Sequence, residues 1–257
     1  MTKAQYTWPG LDLVDGGIKR LANLCVPFYR AFPYTGPLWL TEIDMRVDIS
    51  AEHKFIYNRL PKNANSTINQ SLVRASLAPG DNMPTRPKHH FTRPSRLSRA
   101  QVADLGGYYK FTFVRNPYSR TLSAYLDKIV GRRAQSRAFY KWLARQPDQQ
   151  VTFDAFCRYL DDIGLYHDNH WAPQTTGLVF PLAGFDFVGR FENLDADLDH
   201  VHQQIFAQPC TKATRAGPPA TGSEAAVATE YTPTTRAIIA RLFAEDFEAM
   251  GYSIAVA

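Results

Sequence analysis

The sequence predicts an α/β fold: a mainly parallel central sheet flanked by helices. Three observations lead there. Short apolar runs at residues 55–58, 111–114 and 185–188 read as buried strands, because a brief apolar run bounded by turn signals suits a sheet covered on both faces. Each run is followed by apolar residues at helical spacing, and strands alternating with helices form βα units. No internal repeat and no linker divides the 257 residues, so 1–257 is read as a single domain.

Taken in order, residues 1–37 read as an irregular N-terminal segment, with Pro9, Pro27, Pro33 and Pro37 interrupting any long pattern. Met45, Val47 and Ile49 alternate with polar residues, as in an exposed or edge strand. After the run at 55–58, Thr67 and Gln70 can form a capping box for a helix with Ile68, Leu72 and Ala75 on one face. Residues 79–100 read as loop, carrying Pro79, Pro84, Pro87 and Pro94 together with His89, His90 and a cluster of basic residues. The run at 111–114 leads into Asn116 as an N-cap and Pro117 as the first helical residue. Tyr118, Leu122, Tyr125 and Ile129 then face inward, and Gly131 stops the helix. A helix after Thr152 places Phe153, Phe156, Cys157 and Leu160 together. The run at 185–188 precedes a helix carrying Leu194, Leu198, Val201 and Ile205. Residues 209–230, rich in Pro, Gly, Ala and Thr, read as a long mobile loop, and a helix over 234–250 ends at Gly251.

Composition narrows the class. An apolar fraction of 45%, with 16 Phe and 13 Tyr, suffices for a sizeable core, and 21% charged residues exclude a compositionally disordered chain. The net charge of +5 favours an anionic ligand without identifying nucleic acid. Cys25, Cys157 and Cys210 are far apart and form no CxxC, which argues against a disulfide framework and against a zinc site. No apolar run approaches the roughly 18 residues of a membrane span. The start MTKAQYTWPG lacks the apolar core of a signal peptide, so a cytoplasmic location is expected.

Two segments read as halves of a phosphate clamp. Residues 55–67 are FIYNRLPKNANST and residues 111–125 are FTFVRNPYSRTLSAY. In each, an apolar run enters a polar turn that opens a helix, with a cation beside hydroxyls and unpaired backbone N–H groups. In the first, Lys62, Asn63, Ala64, Asn65, Ser66 and Thr67 parallel the chemistry of a phosphate-binding loop. It is not a Walker A sequence, since the lysine leads the turn and GxxxxGK[ST] is absent. In the second, Arg115 ends the strand and Ser123 follows eight residues on, about two helical turns away. Arg115 can grip a phosphate with two parallel hydrogen bonds. The alternatives are an ordinary capped helix for the first segment, and for the second an Arg115–Asp127 pair with Ser123 as a packing residue.

The wording PKNANST followed by FVRNPYSRTLSAY resembles the sulfotransferases that use 3′-phosphoadenosine 5′-phosphosulfate. The nearest branch is that of carbohydrate sulfotransferases of the chondroitin and heparan 2-O type. HWAPQ at 170–174, FDFVGRFENL at 185–194 and DFEAMGY at 246–252 strengthen it. The likeness runs over about residues 53–252 and implies the P-loop-kinase-like sulfotransferase fold. It implies that the Lys62–Thr67 stretch (62–67) holds the 5′-phosphosulfate and that Arg115 and Ser123 hold the 3′-phosphate. Lys62 would also stabilise charge on the bridging oxygen as adenosine 3′,5′-bisphosphate leaves. No metal is expected. A histidine is expected as base: His90 first and His89 second, with His167 and His170 as other candidates. Trp171 reads as a stacking or a buried ring, Arg190 and Glu192 as a structural ion pair, and Lys212 and Arg215 as part of a loop closing over the nucleotide. The expected acceptor is a hydroxyl on a glycan or small metabolite, in a soluble bacterial member of the family, with no nucleic-acid partner. A nucleotide-dependent kinase and a non-catalytic anion- or glycan-binding protein are the rival readings.

Overall fold

The computed structural model describes residues 11–210, 216 and 221–255. The N-terminal segment departs from expectation, because helices α1 (Leu11–Cys25) and α2 (Pro27–Ala31) occupy most of it. Pro27 does not interrupt a helix but begins one, at the position where its missing N–H costs nothing. Gly16 and Gly17 inside α1 dilute the periodic signal that would have revealed it. The segment is tied down: Lys19 donates to Gly36 O (2.8 Å), and Tyr34 Oη donates to Thr176 O (2.7 Å).

Helix α3 (Leu40–Asp44) leads into strands β1 (Val47–Ser50) and β2 (Phe55–Asn58). A four-residue reversal with Lys54 in the left-handed region (φ 52°) joins them, so they must pair antiparallel, with Val47 opposite Asn58 and Ser50 opposite Phe55. Strand β3 (Tyr109–Val114) pairs parallel with β2, and β4 (Phe187–Arg190) pairs parallel with β3. The sheet is therefore small, four-stranded and mixed, in the order β1-β2-β3-β4, which corrects the expectation of a mainly parallel one. The strand expected at 185–188 begins two residues later, after a tight turn at Leu182–Gly184. β1 is an edge strand as expected, yet all four of its residues are buried, Val47 and Ile49 among the N-terminal helices and Asp48 against Asn69 of the helix that follows β2.

Helix α4 (Asn65–Ser76) follows β2, α5 (Arg99–Asp104) precedes β3, and α6 (Pro117–Ala124) follows β3. Asn116 caps α6 by accepting from Tyr118 N, with Pro117 at its first position, as the sequence implies. α6 passes into a π-helical turn, Tyr125–Val130, that ends at Gly131. A Cβ on Gly131 would stand 2.3 Å from the Asp127 carbonyl oxygen, so only glycine fits this close approach. Helices α7 (Arg137–Leu143) and α8 (Phe153–Tyr159) follow, the latter capped by Thr152, and α9 (Leu194–Phe206) comes after β4. The region expected as one loop over 209–230 instead contains α10 (Ser223–Glu230). The last expected helix is two, α11 (Pro233–Leu242) and α12 (Ala244–Ala249), broken at Phe243.

One face of the sheet packs Phe55, Tyr57, Phe111 and Phe113 against Ile68 and Leu72 of α4 and Leu198 and Val201 of α9. The other packs Val47, Ile49 and Ile56 against Phe28, Tyr29 and Phe180. A separate aromatic core joins α6, α7, α8, α11 and α12, with Trp171 fully buried in it, so Trp171 is a core ring donating to Gly164 O at 2.9 Å. Among the described residues, no helix is long and apolar enough to cross a membrane.

Candidate active site

The two halves of the clamp meet at the C-terminal ends of β2 and β3, where parallel strands direct their following turns to one edge. After β2 the chain turns through residues 61–64, with Lys62 (φ 72°) and Ala64 (φ 57°) both left-handed. Such backbone gathers successive N–H groups into a concave anion-binding surface, and non-glycine residues held there are strained, a feature found at functional sites. α4 therefore starts at Asn65 with Ala64 as its N-cap, two residues before the expected capping box at Thr67 and Gln70, which does not form. Thr67 Oγ1 instead accepts from Ala216 N (3.1 Å) and donates to Ala216 O (3.3 Å), tying the turn to the segment before α10.

The Asn63 side chain is fully buried and faces inward. Its Nδ2 donates to Phe113 O and to Gln174 Oε1, each at 2.7 Å. It anchors the turn, and the half-buried Asn65 and Ser66 that follow meet each other, Ser66 Oγ donating to Asn65 Oδ1 at 3.4 Å. Ser66 lines a groove of about 340 Å³ with Asn69, Gln70, Arg86, Lys88 and His89.

Lys62 reaches Asp127 Oδ2 at 2.9 Å, and Lys128 reaches the same oxygen at 3.1 Å. Burial acts to raise the Asp127 pKa, but the two lysines outweigh it and hold the carboxyl below its usual range. Burial pushes the Lys62 ammonium down, with Asp127 opposing. Asp127 thus aims Lys62 and does not pair with Arg115, and the π-helical turn is what brings it there.

Arg115 is buried at the end of β3. Nε donates to Ser119 Oγ (3.1 Å), Nη1 to Lys62 O (2.8 Å), and Nη2 to Ser223 Oγ (2.8 Å) and Glu224 Oε1 (2.6 Å). Its guanidinium lies 3.9 Å from the Phe191 ring centroid. Thr221 Oγ1 contacts both Ser123 Oγ (3.2 Å) and Ser223 Oγ (3.1 Å). Lys62, Arg115 and Ser123 are thus brought into one connected set, with Ser119, Thr221 and Ser223 added to it. Sequence reading missed these last three: Ser119 lay within the second segment of the clamp, one turn before Ser123, and the TGS wording of 221–223 stood inside a stretch read as loop. Lys212 and Arg215 lie outside the described residues.

Two buried groups hold the site together. Gln174 Oε1 accepts from Asn63 and from Arg115 N (3.0 Å), its Nε2 donates to Arg115 O (2.9 Å), and its own N–H donates to Asp246 Oδ2 (2.7 Å). Burial raises the Asp246 pKa, opposed by the N–H groups of Thr175 and Gln174. Arg120 donates to Pro61 O (3.1 Å), Ala172 O (2.7 Å) and Asn169 O (3.0 Å), and burial brings its pKa to about 10. HWAPQ and DFEAMGY therefore shape the site from behind.

The candidate bases separate. His89 and His90 are exposed on the turn at 87–90. His89 Nδ1 lies 3.3 Å from Arg93, and His90 is edge-on to Phe91. His167 Nδ1 meets Tyr159 Oη at 2.7 Å. His170 Nδ1 meets Asp168 Oδ1 at 2.5 Å. The expected Arg190–Glu192 pair is replaced: Arg190 donates to Met250 O (2.8 Å), while Glu192 accepts from Asn116 N (2.7 Å) and Tyr252 Oη (2.8 Å).

Comparison with known proteins places the chain in a family. The model of a sulfotransferase family matches residues 45–253. Carbohydrate sulfotransferase 14 of Mus musculus is 32% identical over 177 residues, covering 63% of this chain and 46% of its own. Its Danio rerio counterpart is 30% identical over 190 residues, covering 66% and 51%. Carbohydrate sulfotransferase 8 of Mus musculus is 29% identical over 221 residues, covering 78% and 52%. The chain thus spans about half the length of these curated relatives. No solved structure matches it. The family match covers the sheet, both halves of the clamp and the buried groups behind them, and the chain belongs to the sulfotransferase family.

Proposed function

We propose that the protein transfers a sulfuryl group from 3′-phosphoadenosine 5′-phosphosulfate to a hydroxyl of a carbohydrate, on a P-loop-kinase-like sulfotransferase fold. The observation that carries this reading is the direct link between the two halves of the clamp, Arg115 Nη1 donating to Lys62 O at 2.8 Å. A ligand with phosphates at both ends can span the two cations. The residues fit such a donor. The left-handed turn at 62–64 offers backbone N–H groups and an ammonium to the phosphosulfate. Buried Arg115, with the hydroxyls of Ser123, Ser119, Thr221 and Ser223, offers a forked donor to the 3′-phosphate. The donor supplies the sulfuryl group. Lys62, desolvated and aimed by Asp127, stabilises negative charge on the departing bridging oxygen. An imidazole takes the acceptor proton, with His90, His89 and His170 as the candidates.

Relatives named carbohydrate sulfotransferases support a glycan acceptor. Titration calorimetry with adenosine 3′,5′-bisphosphate and with ATP tests the donor, and transfer of labelled sulfate to a panel of unsulfated glycans tests the reaction. Preference for ATP, or no transfer to any glycan, contradicts the proposal.

A further inference from the structure

We infer that His170, held by Asp168, is the general base for the acceptor hydroxyl, an assignment that rests on the transfer reaction proposed above. Asp168 Oδ1 accepts from both the ring Nδ1 and the backbone N–H of His170, the latter at 2.9 Å. The ring proton is thereby assigned to Nδ1, and the Nε2 lone pair is left to receive a proton, the arrangement by which a carboxylate makes a histidine a base. His89 and His90, on their exposed turn, have no carboxylate partner orienting them among the described residues.

Position supports the same residue. The carbonyls of Asn169 and Ala172, on either side of His170, hang from the Arg120 guanidinium that also holds Pro61 O. Pro61 immediately precedes Lys62, so one buried planar group sets the spacing between the histidine and the lysine turn. Arg46 braces the segment from the other side, donating to Asn169 Oδ1 at 3.0 Å and Glu42 Oε2 at 3.1 Å. Beside this segment lies a cleft of about 310 Å³ lined by Trp39, Glu42, Tyr166, Asp168 and Asn169, and also by His167, whose Nδ1 meets Tyr159 Oη and not a carboxylate. Half-exposed aromatic and polar side chains of this kind suit a sugar ring, which offers apolar faces and hydroxyl edges.

The charges facing His170 are Asp168, Lys128 and Arg46. Burial lowers its pKa most, Asp168 acts to raise it, and Lys128 and Arg46 lower it. The ring is neutral at pH 7, ready to accept. In the step, the acceptor O–H bond breaks and its proton goes to Nε2. The oxygen's electron pair forms the bond to sulfur, and the sulfur–oxygen bond to the phosphate breaks with its charge left beside Lys62. The proton later passes from His170 to solvent.

The test compares wild type, His170→Gln, Asp168→Asn, Asp168→Glu and the His89→Ala/His90→Ala double variant, with desulfated chondroitin as acceptor. His170→Gln is expected to lose about 10²–10⁴-fold in kcat, more than the double variant, with bisphosphate affinity and Tm retained. Asp168→Asn removes the influence that raises the His170 pKa, so the acid limb of kcat/KM moves to lower pH while its plateau falls, and Asp168→Glu restores both in part. The inference is overturned if His170→Gln, still binding bisphosphate, keeps more than about a tenth of kcat, a loss too small for a lost general base. It is also overturned if the acid limb does not move in Asp168→Asn, a readout that stands even where His170→Gln fails to fold. Wild type without transfer overturns it too, and absence of bisphosphate binding as well overturns the donor reading beneath it.

Discussion

Replacing Glu224 with glutamine is expected to tighten the binding of adenosine 3′,5′-bisphosphate. Glu224 Oε1 lies 2.6 Å from Arg115 Nη2, on the guanidinium proposed to receive the 3′-phosphate. An incoming phosphate must displace this carboxylate or bind against its charge. Arg115 is buried but the Glu224 side chain is 49% exposed, so solvent screens the pair. Its net worth is then that of a surface ion pair, at most about 1 kcal/mol. Removing the competitor should return that amount to the ligand, which is up to about fivefold in Kd. Glutamine keeps the shape and a hydrogen-bonding oxygen, so the loss of stability should stay within about 1 kcal/mol, or about 2–4 °C in Tm. Titration calorimetry at low and high salt checks it, and the gain over wild type should shrink as salt screens the carboxylate. Equal or weaker binding by a folded Glu224→Gln protein would refute the reasoning and remove Glu224 from the 3′-phosphate site.

Three further outcomes are expected. Arg115→Lys loses the fork that engages Ser119, Ser223 and Lys62 O, and calorimetry should find bisphosphate bound about 10–100-fold more weakly. Gln174→Leu leaves the N–H and C=O of Arg115 unpaired in the interior, at about 1–3 kcal/mol each. Thermal unfolding should show Tm lower by about 5–20 °C. Asp48 is pushed up to about 6 by burial, which Arg59 and Asn69 only partly offset. A carboxyl raised in the folded state contributes stability below its unfolded value of about 4 and loses that contribution as pH rises through its folded value. Asp48→Asn should therefore flatten the decline in Tm between about pH 4 and pH 6, and an unchanged slope would assign that decline to other groups.

Much of the clamp was legible because local chemistry sets it. A lysine leading a polar turn, and an arginine ending a strand before an Asn-Pro cap, are patterns confined to a few consecutive residues. The strand at 55–58 and the cap at Asn116–Pro117 (116–117) lie where those patterns put them. Elements whose signal was diluted or shared were not legible. Gly16 and Gly17 hid α1, and Phe243 divides a helix that periodicity would run straight through. The antiparallel β1–β2 pair follows from a reversal too short for a crossover, which composition alone does not reveal.

Sequence alone determined the family, the order of the two candidate turns and the cations in them, because each rests on neighbouring residues. Tertiary structure decided which group partners which. Asp127 belongs to Lys62 because a π-helical turn redirects it, and Arg115 meets Glu224 across more than a hundred residues. Gln174 and Arg120 link turns that are remote in the chain, and they bring His170 and the lysine turn onto one buried frame. Such contacts arise only when separate elements pack, since a hydrogen bond depends on distance in space and not on separation along the chain.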